Sequence, residues 1–270
     1  MNDATPQIGE HLRSWRQRRR MSQLDLASEA NVSSRHLSFV ETGRARPSRE
    51  MILHLAEHLR IPLRERNRLF LAAGYAPVFA ERPLDDPALA AARAAVDLVL
   101  AGHEPYPALA VDRHWQLCAA NRMIAPFMEG VAPALLEPPV NVLRLSLHPE
   151  GLAPRIANLG EWRQHILMRL RGQIDLSADP KLVALHDEIA GYPGPISEMP
   201  PPRPGQEPYG GVVLPLQFAT PQGLRSLFGT ITVFGTPIDV TLSELAIEAF
   251  FPADAETGDW LREIAASLPG

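Results

Sequence analysis

Hydrophobic positions in the first part of the chain recur every three to four residues in short blocks, the spacing of helices that bury one face. Ile8, Leu12 and Trp15 share a face of a first helix, expected over about Ile8 to Arg19, which leaves Arg13, Arg16 and the Arg18 to Arg20 run on other faces. Ser22 with Asp25 has capping-box spacing for a second helix bearing Leu24, Ala27 and Ala30. Asn31-Val32-Ser33 predicts a tight turn, after which Ser33 or Ser34 caps a third helix that runs through Val40 and is stopped by Gly43. Pro47-Ser48 opens a fourth helix with Ile52, Leu55, Ala56 and Leu59 on one side, and Pro62 opens a fifth that ends at Gly74.

Tyr75 to Pro87 carries Pro77, Pro83 and Pro87 beside Asp85-Asp86 and has the composition of a linker. The Ala-rich stretch from Pro87 to Ala101, capped by Asp86, predicts a connector helix. The pattern then changes. In ALAVDRHWQLCAAN two short apolar runs flank Asp112-Arg113, a hairpin signal. Helices are expected over about Asn121 to Met128, Asn141 to Leu147, Leu159 to Arg171 and Pro180 to Ile189. Residues 191 to 211 hold seven prolines, which no packed helix or central strand would accept, and are expected to form a loop. GVVLPLQF and LRSLFGTITVFGT, joined by the turn TPQG, predict two antiparallel strands so apolar that they must be covered on both faces or line a cavity. TLSELAIEAFF and DWLREIAASL are expected as closing helices.

The fold class expected is therefore α+β: an all-α bundle over residues 1–75, a linker and connector helix over 76–103, and a mixed domain with a small antiparallel sheet over 104–270. A chain of 270 residues has room for two separate cores. No apolar run approaches the about eighteen residues of a membrane span, and MNDATPQIGEHLRSWRQRRR offers no export signal core, so a cytoplasmic location without membrane contact is expected. The lone Cys118, in the run Leu117 to Ala120, excludes an internal disulfide or multi-cysteine metal site and is expected as a small buried hydrophobe.

Charge divides the chain more sharply than the total of −5 suggests. Residues 1 to 83 carry 14 arginines against 9 acidic residues, a balance of +5, whereas residues 84 to 270 carry 12 basic against 22 acidic residues, a balance of −10. Only the first part has the electrostatics that attract a phosphate backbone. A groove-reading helix must be short and held at a fixed angle by a preceding helix across a small-residue turn, and residues 22 to 41 meet those demands.

SQLDLASEANVSSRHLSFVETGRARPS resembles the helix-turn-helix of the phage-repressor-like (Xre) family, through Ser22-Gln23, Leu26-Ala27, Val32-Ser33, Leu37-Ser38, Glu41-x-Gly43 and Pro47-Ser48. The resemblance spans about residues 8 to 73 and implies a lambda-repressor-like five-helix domain that binds double-stranded operator DNA. With Val32, Leu37 and Val40 on the apolar stripe, Ser34, Arg35, Ser38 and Phe39 remain for the groove, beside Ser33 at the helix start. Arg35 is suited to guanine and Phe39 to a thymine methyl. By position in the family, Gln23, Thr42, Arg44, Arg46 and Arg49 hold phosphates, while Arg16 and Glu41 pair internally. A merely solvated basic face is the alternative, and the charge split together with the motif argues against it.

In the second part, catalytic signatures such as His-Glu-x-x-His, Gly-x-Ser-x-Gly and phosphate-cradling glycine loops are absent, and His114, His148, His165 and His186 lie far apart in sequence. No catalytic residue, metal site or resident cofactor is expected. EPYPALAVDRHWQLCAAN, NVLRLSLHPEGL and LFGTITVFGTPIDVTLSELAIEAFFPAD resemble the MmyB-like ligand-binding domain of bacterial transcription regulators, over about residues 104 to 255. That resemblance implies a PAS-like fold with a small hydrophobic ligand, a bound fatty acid as effector in at least some members. Trp115, Leu143, Trp162, Phe218, Phe228 and Phe234 are the candidate walls, and Arg144 or His148 the candidate carboxylate anchor, although any one of these aromatics could equally be plain core. A homodimer on a palindromic operator is the expected assembly. The alternative is an enzyme or chromophore-binding sensor fused to a DNA-binding head.

Overall fold

The computed structural model describes residues 8–195, 214–235, 237 and 239–269. The chain divides into two compact units, one comprising Met1–Pro83 and Thr236–Ser243, the other Leu84–Gly235 and Glu244–Gly270.

The first unit contains the five expected helices: α1 (Ile8–Arg18), α2 (Gln23–Glu29), α3 (Ser34–Glu41), α4 (Arg49–His58) and α5 (Leu63–Ala72). The starts of α2, α3 and α4 are set by side-chain caps. Ser22 and Asp25 satisfy each other's backbone N–H groups as a capping box, Ser33 accepts from His36 N, and Ser48 accepts from Met51 N. Asn31, in the turn between α2 and α3, adopts a left-handed φ of 49°, and Gly43 takes φ 73° just past α3. The core gathers Leu12, Leu26, Leu37, Val40, Ile52, Leu55, Leu59 and Phe70. Arg19, within the arginine run, is structural rather than merely solvated: its Nε donates to Leu59 O at 2.8 Å and so caps the end of α4.

One buried ion pair ties α1 to α3. Arg16 and Glu41 are only 8% and 5% exposed, and the guanidinium holds the carboxylate through two bonds of 2.6 and 2.8 Å. Gln23 adds a third donor at 2.8 Å. Gly9 permits the approach, since a Cβ there would meet Val40 O at 2.5 Å and Glu41 O at 2.6 Å. Burial pushes the Glu41 carboxyl up, but the Arg16 and Gln23 hydrogen bonds and the Arg16 charge outweigh it, and the net direction is down.

The unit is completed by chain from far downstream. Ala80 pairs in parallel with Asp239, Val240 N donates to Ala80 O at 2.8 Å, and Val240 is fully buried. Asp239, 2% exposed, accepts from Arg82 at 3.1 Å and from Thr241 N at 2.9 Å.

The second unit is built on a five-stranded antiparallel sheet of order β2-β1-β5-β4-β3: β1 (Ala108–Val111), β2 (Leu117–Ala120), β3 (Leu216–Thr220), β4 (Gly223–Val233) and β5 (Ala246–Pro252). Helix α6 (Ala90–Gly102) packs on one face, where Val96 and Leu100 meet Ala108, Ala110, Ile247 and Ala249. The opposite face sends Leu109, Leu216, Phe218 and Leu227 into the main core with α7 (Val142–Leu147), α8 (Leu159–Ser177), α9 (Pro180–Ala190) and α11 (Ala255–Ser267). The α+β class expected from the sequence is what the chain adopts.

Several local expectations are corrected. Within TLSELAIEAFF only Val240–Ser243 forms a helix, α10, whereas Ala246–Pro252 is the central strand. Seven residues are too few for periodicity to separate helix from strand, and hydrogen bonding to β1 and β4 on both sides decides the matter. Residues 122–128 form a 3-10 rather than an α-helix, with Pro126 inside. Helix α8 runs past Arg171 to Ser177. Leu216, Phe218 and Leu227 of the two apolar strands line a cavity, whereas at the far end of β4 Ile231 and Val233 are 50% and 62% exposed. Cys118 is exposed, because the alternation of edge strand β2 turns it outward. Most of the proline-rich loop, residues 196–213, lies outside the described residues.

Replacing Glu41 by Ala strands a buried guanidinium and is expected to cost about 3–5 kcal/mol in the first unit. Since the folded pKa of Glu41 lies below its ordinary value, its contribution is complete above about pH 4.3 and is lost as pH falls through the folded value. Hydrogen exchange of the α1 and α3 amides in the full chain should accelerate in Glu41→Ala, and the acid-induced acceleration of the wild type should shrink in Glu41→Gln.

Candidate functional site

Two surfaces merit attention, one in each unit. In the first, α3 presents Ser34 and Arg35 fully to solvent and keeps Ser38 and Phe39 half-buried, while Leu37 and Val40 are sealed in the core. The Arg35 guanidinium lies 5.4 Å from the Phe39 ring centroid, so the two side chains form one cation–π unit on the exposed face. Ser33 is occupied as the helix cap, and Thr42 Oγ1 donates to Ser38 O at 2.7 Å. Gln23 spends its amide N–H on Glu41.

The arginines after α3 are not equivalent. Arg44 is exposed, and although its backbone N–H donates to Phe39 O at 2.8 Å, its guanidinium forms no hydrogen bond or ion pair among the described residues. Arg46 instead donates through Nε and Nη2 to Ala73 O, at 3.1 and 2.5 Å, and lies 5.0 Å from the Tyr75 ring centroid. Arg49 rests 5.5 and 5.7 Å from the Phe70 and Tyr75 rings. Arg46 is thus tied to the end of α5, a role that sequence spacing alone does not separate from phosphate contact.

In the second unit an apolar cavity of about 80 Å³ lies between the sheet and its covering helices. The sheet supplies Leu109, Leu216, Phe218, Leu227 and Phe250, the 3-10 segment Ile124, Phe127 and Met128, α7 Leu143 and Leu145, and α8 Trp162 and Ile166. Polar groups on the wall are few. Ser146 Oγ accepts from Trp162 Nε1 at 3.0 Å, and Glu248 is the charged residue of the lining. The apolar character of the lining is that of a site for a small apolar molecule.

Of the candidate walls, Leu143, Trp162 and Phe218 line this cavity. The others are placed elsewhere. Phe228 alternates with Leu227 along β4, faces the other way and stacks on Phe251 at 5.4 Å, while Phe234 packs with the α6-side cluster. Trp115 is buried in the main core, donates to Gln173 at 2.8 Å and offers its ring to Arg169. Neither Arg144 nor His148 reaches the cavity. Arg144 lies on α7 and His148 is the extended residue just past its end, and neither belongs to the cavity's lining. Arg144 forms a bidentate pair with Glu188, both bonds 2.7 Å, Tyr192 donates to the same carboxylate at 2.6 Å, and the His148 ring meets Tyr192 edge-on. These bonds hold the Glu188 carboxyl below its usual range, with the Arg144 hydrogen bond the main cause. The cluster fastens α7 to α9.

A second cavity, of about 310 Å³, shares Trp162, Glu248 and Phe250 with the first and adds His165, Arg169, Thr230 and Ile231. Sequence reasoning missed Arg169 and Glu248, because α8 and β5 are nearly eighty residues apart in the chain and only folding brings them to a 2.6 Å contact. Among the described residues no cluster of three or more His, Cys, Asp or Glu side chains could hold a metal ion, and no helix is long and apolar enough to cross a membrane.

The chain matches the family model of the MmyB-like transcription regulator ligand binding domain over residues 92–264 and that of a helix-turn-helix domain over residues 7–69. No curated protein matches it.

The unlike settings of the arginines give unlike expected outcomes. Arg44→Ala should weaken duplex-DNA binding by the full chain and reduce the slope of log K against log salt by about 1. Arg46→Ala should instead lower the thermal midpoint, since it leaves Ala73 O without its guanidinium partner. Anisotropy titrations at several salt concentrations and a melting curve separate the two.

Proposed function

The chain belongs to the family of MmyB-like transcription regulator ligand binding domains, and from that premise we propose that a small apolar molecule, a fatty acid or similar lipid, sets its affinity for DNA. With a helix-turn-helix domain ahead of the ligand-binding domain, it is a DNA-binding transcription regulator. The observation that carries the ligand reading is the apolar cavity between sheet and helices. Each methylene buried there contributes about 0.8 kcal/mol, so a single alkyl chain gains affinity steeply with length.

On the DNA side, Ser34, Arg35, Ser38 and Phe39 are the residues assigned to base edges, with Gln23, Ser33, Thr42, Arg44 and Arg49 along the backbone. Arg46 leaves that set because its guanidinium is committed to Ala73 O. The protein acts as a homodimer whose two heads meet half-sites about 34 Å apart, or a multiple of it, and it performs no catalysis. Ligand occupancy is linked to DNA affinity because β4 and β5, which both line the cavity, are joined by a connection that packs within the DNA-binding unit.

Selection by the full chain from a random duplex pool should enrich a palindromic site, and the enriched duplex should bind with altered affinity when dodecanoate is added. Enrichment of no site would remove the DNA assignment, an unpaired half-site would remove the dimer, and unchanged affinity at saturating dodecanoate would remove the linkage.

A further inference from the structure

The helical unit takes in a segment from far along the chain, Thr236–Ser243 of the connection between β4 and β5. Three of its residues make the seat. Val240, fully buried, donates its N–H to Ala80 O at 2.8 Å. Asp239, 2% exposed, accepts from Arg82 Nη1 at 3.1 Å with one carboxylate oxygen and from Thr241 N at 2.9 Å with the other. The Thr241 hydroxyl donates to Arg82 O. Asp239 and Val240 are too buried to touch DNA themselves, so any effect they have on its binding acts through the groups they hold. Those groups lead to α5. Asn67 on that helix, 7% exposed, accepts from Val78 N and Phe79 N at 3.1 and 3.0 Å and donates to Phe79 O at 2.7 Å, which clamps the chain just before Ala80. At its end the same helix offers Ala73 O to Arg46, and Tyr75 just beyond it donates to Pro47 O at 3.2 Å. The loop that carries Arg44 and opens α4 at Arg49 is thereby tied to the end of α5.

Resting on the reading of this unit as the DNA-binding one, we infer that Asp239 and Val240 are positioning residues for DNA: a strap whose seating on Ala80 and Arg82 steadies residues 78–82 and α5, and through them the loop assigned to the DNA backbone. Two features distinguish the strap from permanent core. Its backbone pairing with Ala80 is an isolated bridge rather than a ladder, so the strap can leave its seat by local opening, without global unfolding. The Arg82 side chain is 42% exposed, so water and salt weaken its hold on Asp239. The seat is therefore held by a few separable contacts. Only the seated form presents the loop in its fixed position, and apparent affinity falls in proportion to the seated fraction.

The test is anisotropy titration of the full chain against the duplex enriched by selection, paired with hydrogen exchange of the Val78, Phe79 and Val240 amides and, as a control in the other unit, of Leu109. Asp239→Asn keeps an acceptor for Thr241 N but loses the charge that holds Arg82. Removing an acidic charge by itself favours DNA, whereas unseating the strap opposes it, so the sign is decisive: affinity should fall about threefold or more, the worth of a modest hydrogen bond. Val240→Ala, which changes no charge, should weaken binding about fivefold or more through the lost buried methyl groups. Once Arg82→Gln has removed the partner, adding Asp239→Asn should weaken binding no further. The three amides should exchange faster in Asp239→Asn and Val240→Ala, with Leu109 unchanged. Tighter or unchanged binding by Asp239→Asn, or unchanged binding by Val240→Ala, overturns the positioning role even where exchange accelerates, since the strap then only stabilises the fold. Unaltered exchange in both variants overturns the strap itself. Failure of the wild type to enrich any duplex removes the DNA reading and this inference with it.

Discussion

Strand β5 presents unlike chemistry on its two faces, and the second unit is organised around that asymmetry. Ile247 and Ala249 pack toward α6, while Glu248 and Phe250 face the helices across the sheet. Because the strand is central, with β1 on one side and β4 on the other, its alternation fixes the register of its neighbours. Leu109 sits opposite Glu248, so β1 lends its apolar residue to the same cavity wall. A slip of one residue would turn Ile247 into the cavity and bury Glu248 against Val96 and Leu100, where a carboxylate has no partner.

The first unit has its own organising contact. The Arg16–Glu41 pair sits where α1 crosses α3, with Gly9 removing the side chain that would hold the backbones apart. A buried ion pair is weak evidence for stability, since desolvation offsets much of its attraction. Its directional bonds do restrain the crossing of α1 and α3, and with it the presentation of Arg35 and Phe39. Rigid presentation is what readout of base edges requires, because bidentate contacts tolerate little displacement.

The connection between β4 and β5 belongs to the first unit by its contacts. Asp239, Val240 and Thr241 are bonded to Ala80 and Arg82, although the family model for the ligand-binding domain spans these residues. The two strands that leave and receive this connection also carry Leu227, Glu248 and Phe250 of the cavity wall.

Much of this was legible in the sequence. Ser22, Ser33 and Ser48 announced their helices through local hydrogen bonds, and Gly43 and Gly74 ended theirs, because capping is decided within a few residues. The apolar stripe of α3 separated Leu37 and Val40 from Arg35 for the same reason of short-range periodicity. What the sequence could not decide involved partners distant along the chain. The segment Ala246–Pro252 became a strand only because β1 and β4 hydrogen-bond to it, and Arg144 turned from candidate anchor to helix clamp because Glu188 stands opposite. Likewise Arg46 was claimed by Ala73 O, and Arg169 met Glu248 only across the packed α8 and sheet. Local hydrogen bonding and periodicity are written in neighbouring residues, whereas the choice of a long-range partner is made by packing, which weighs all contacts at once.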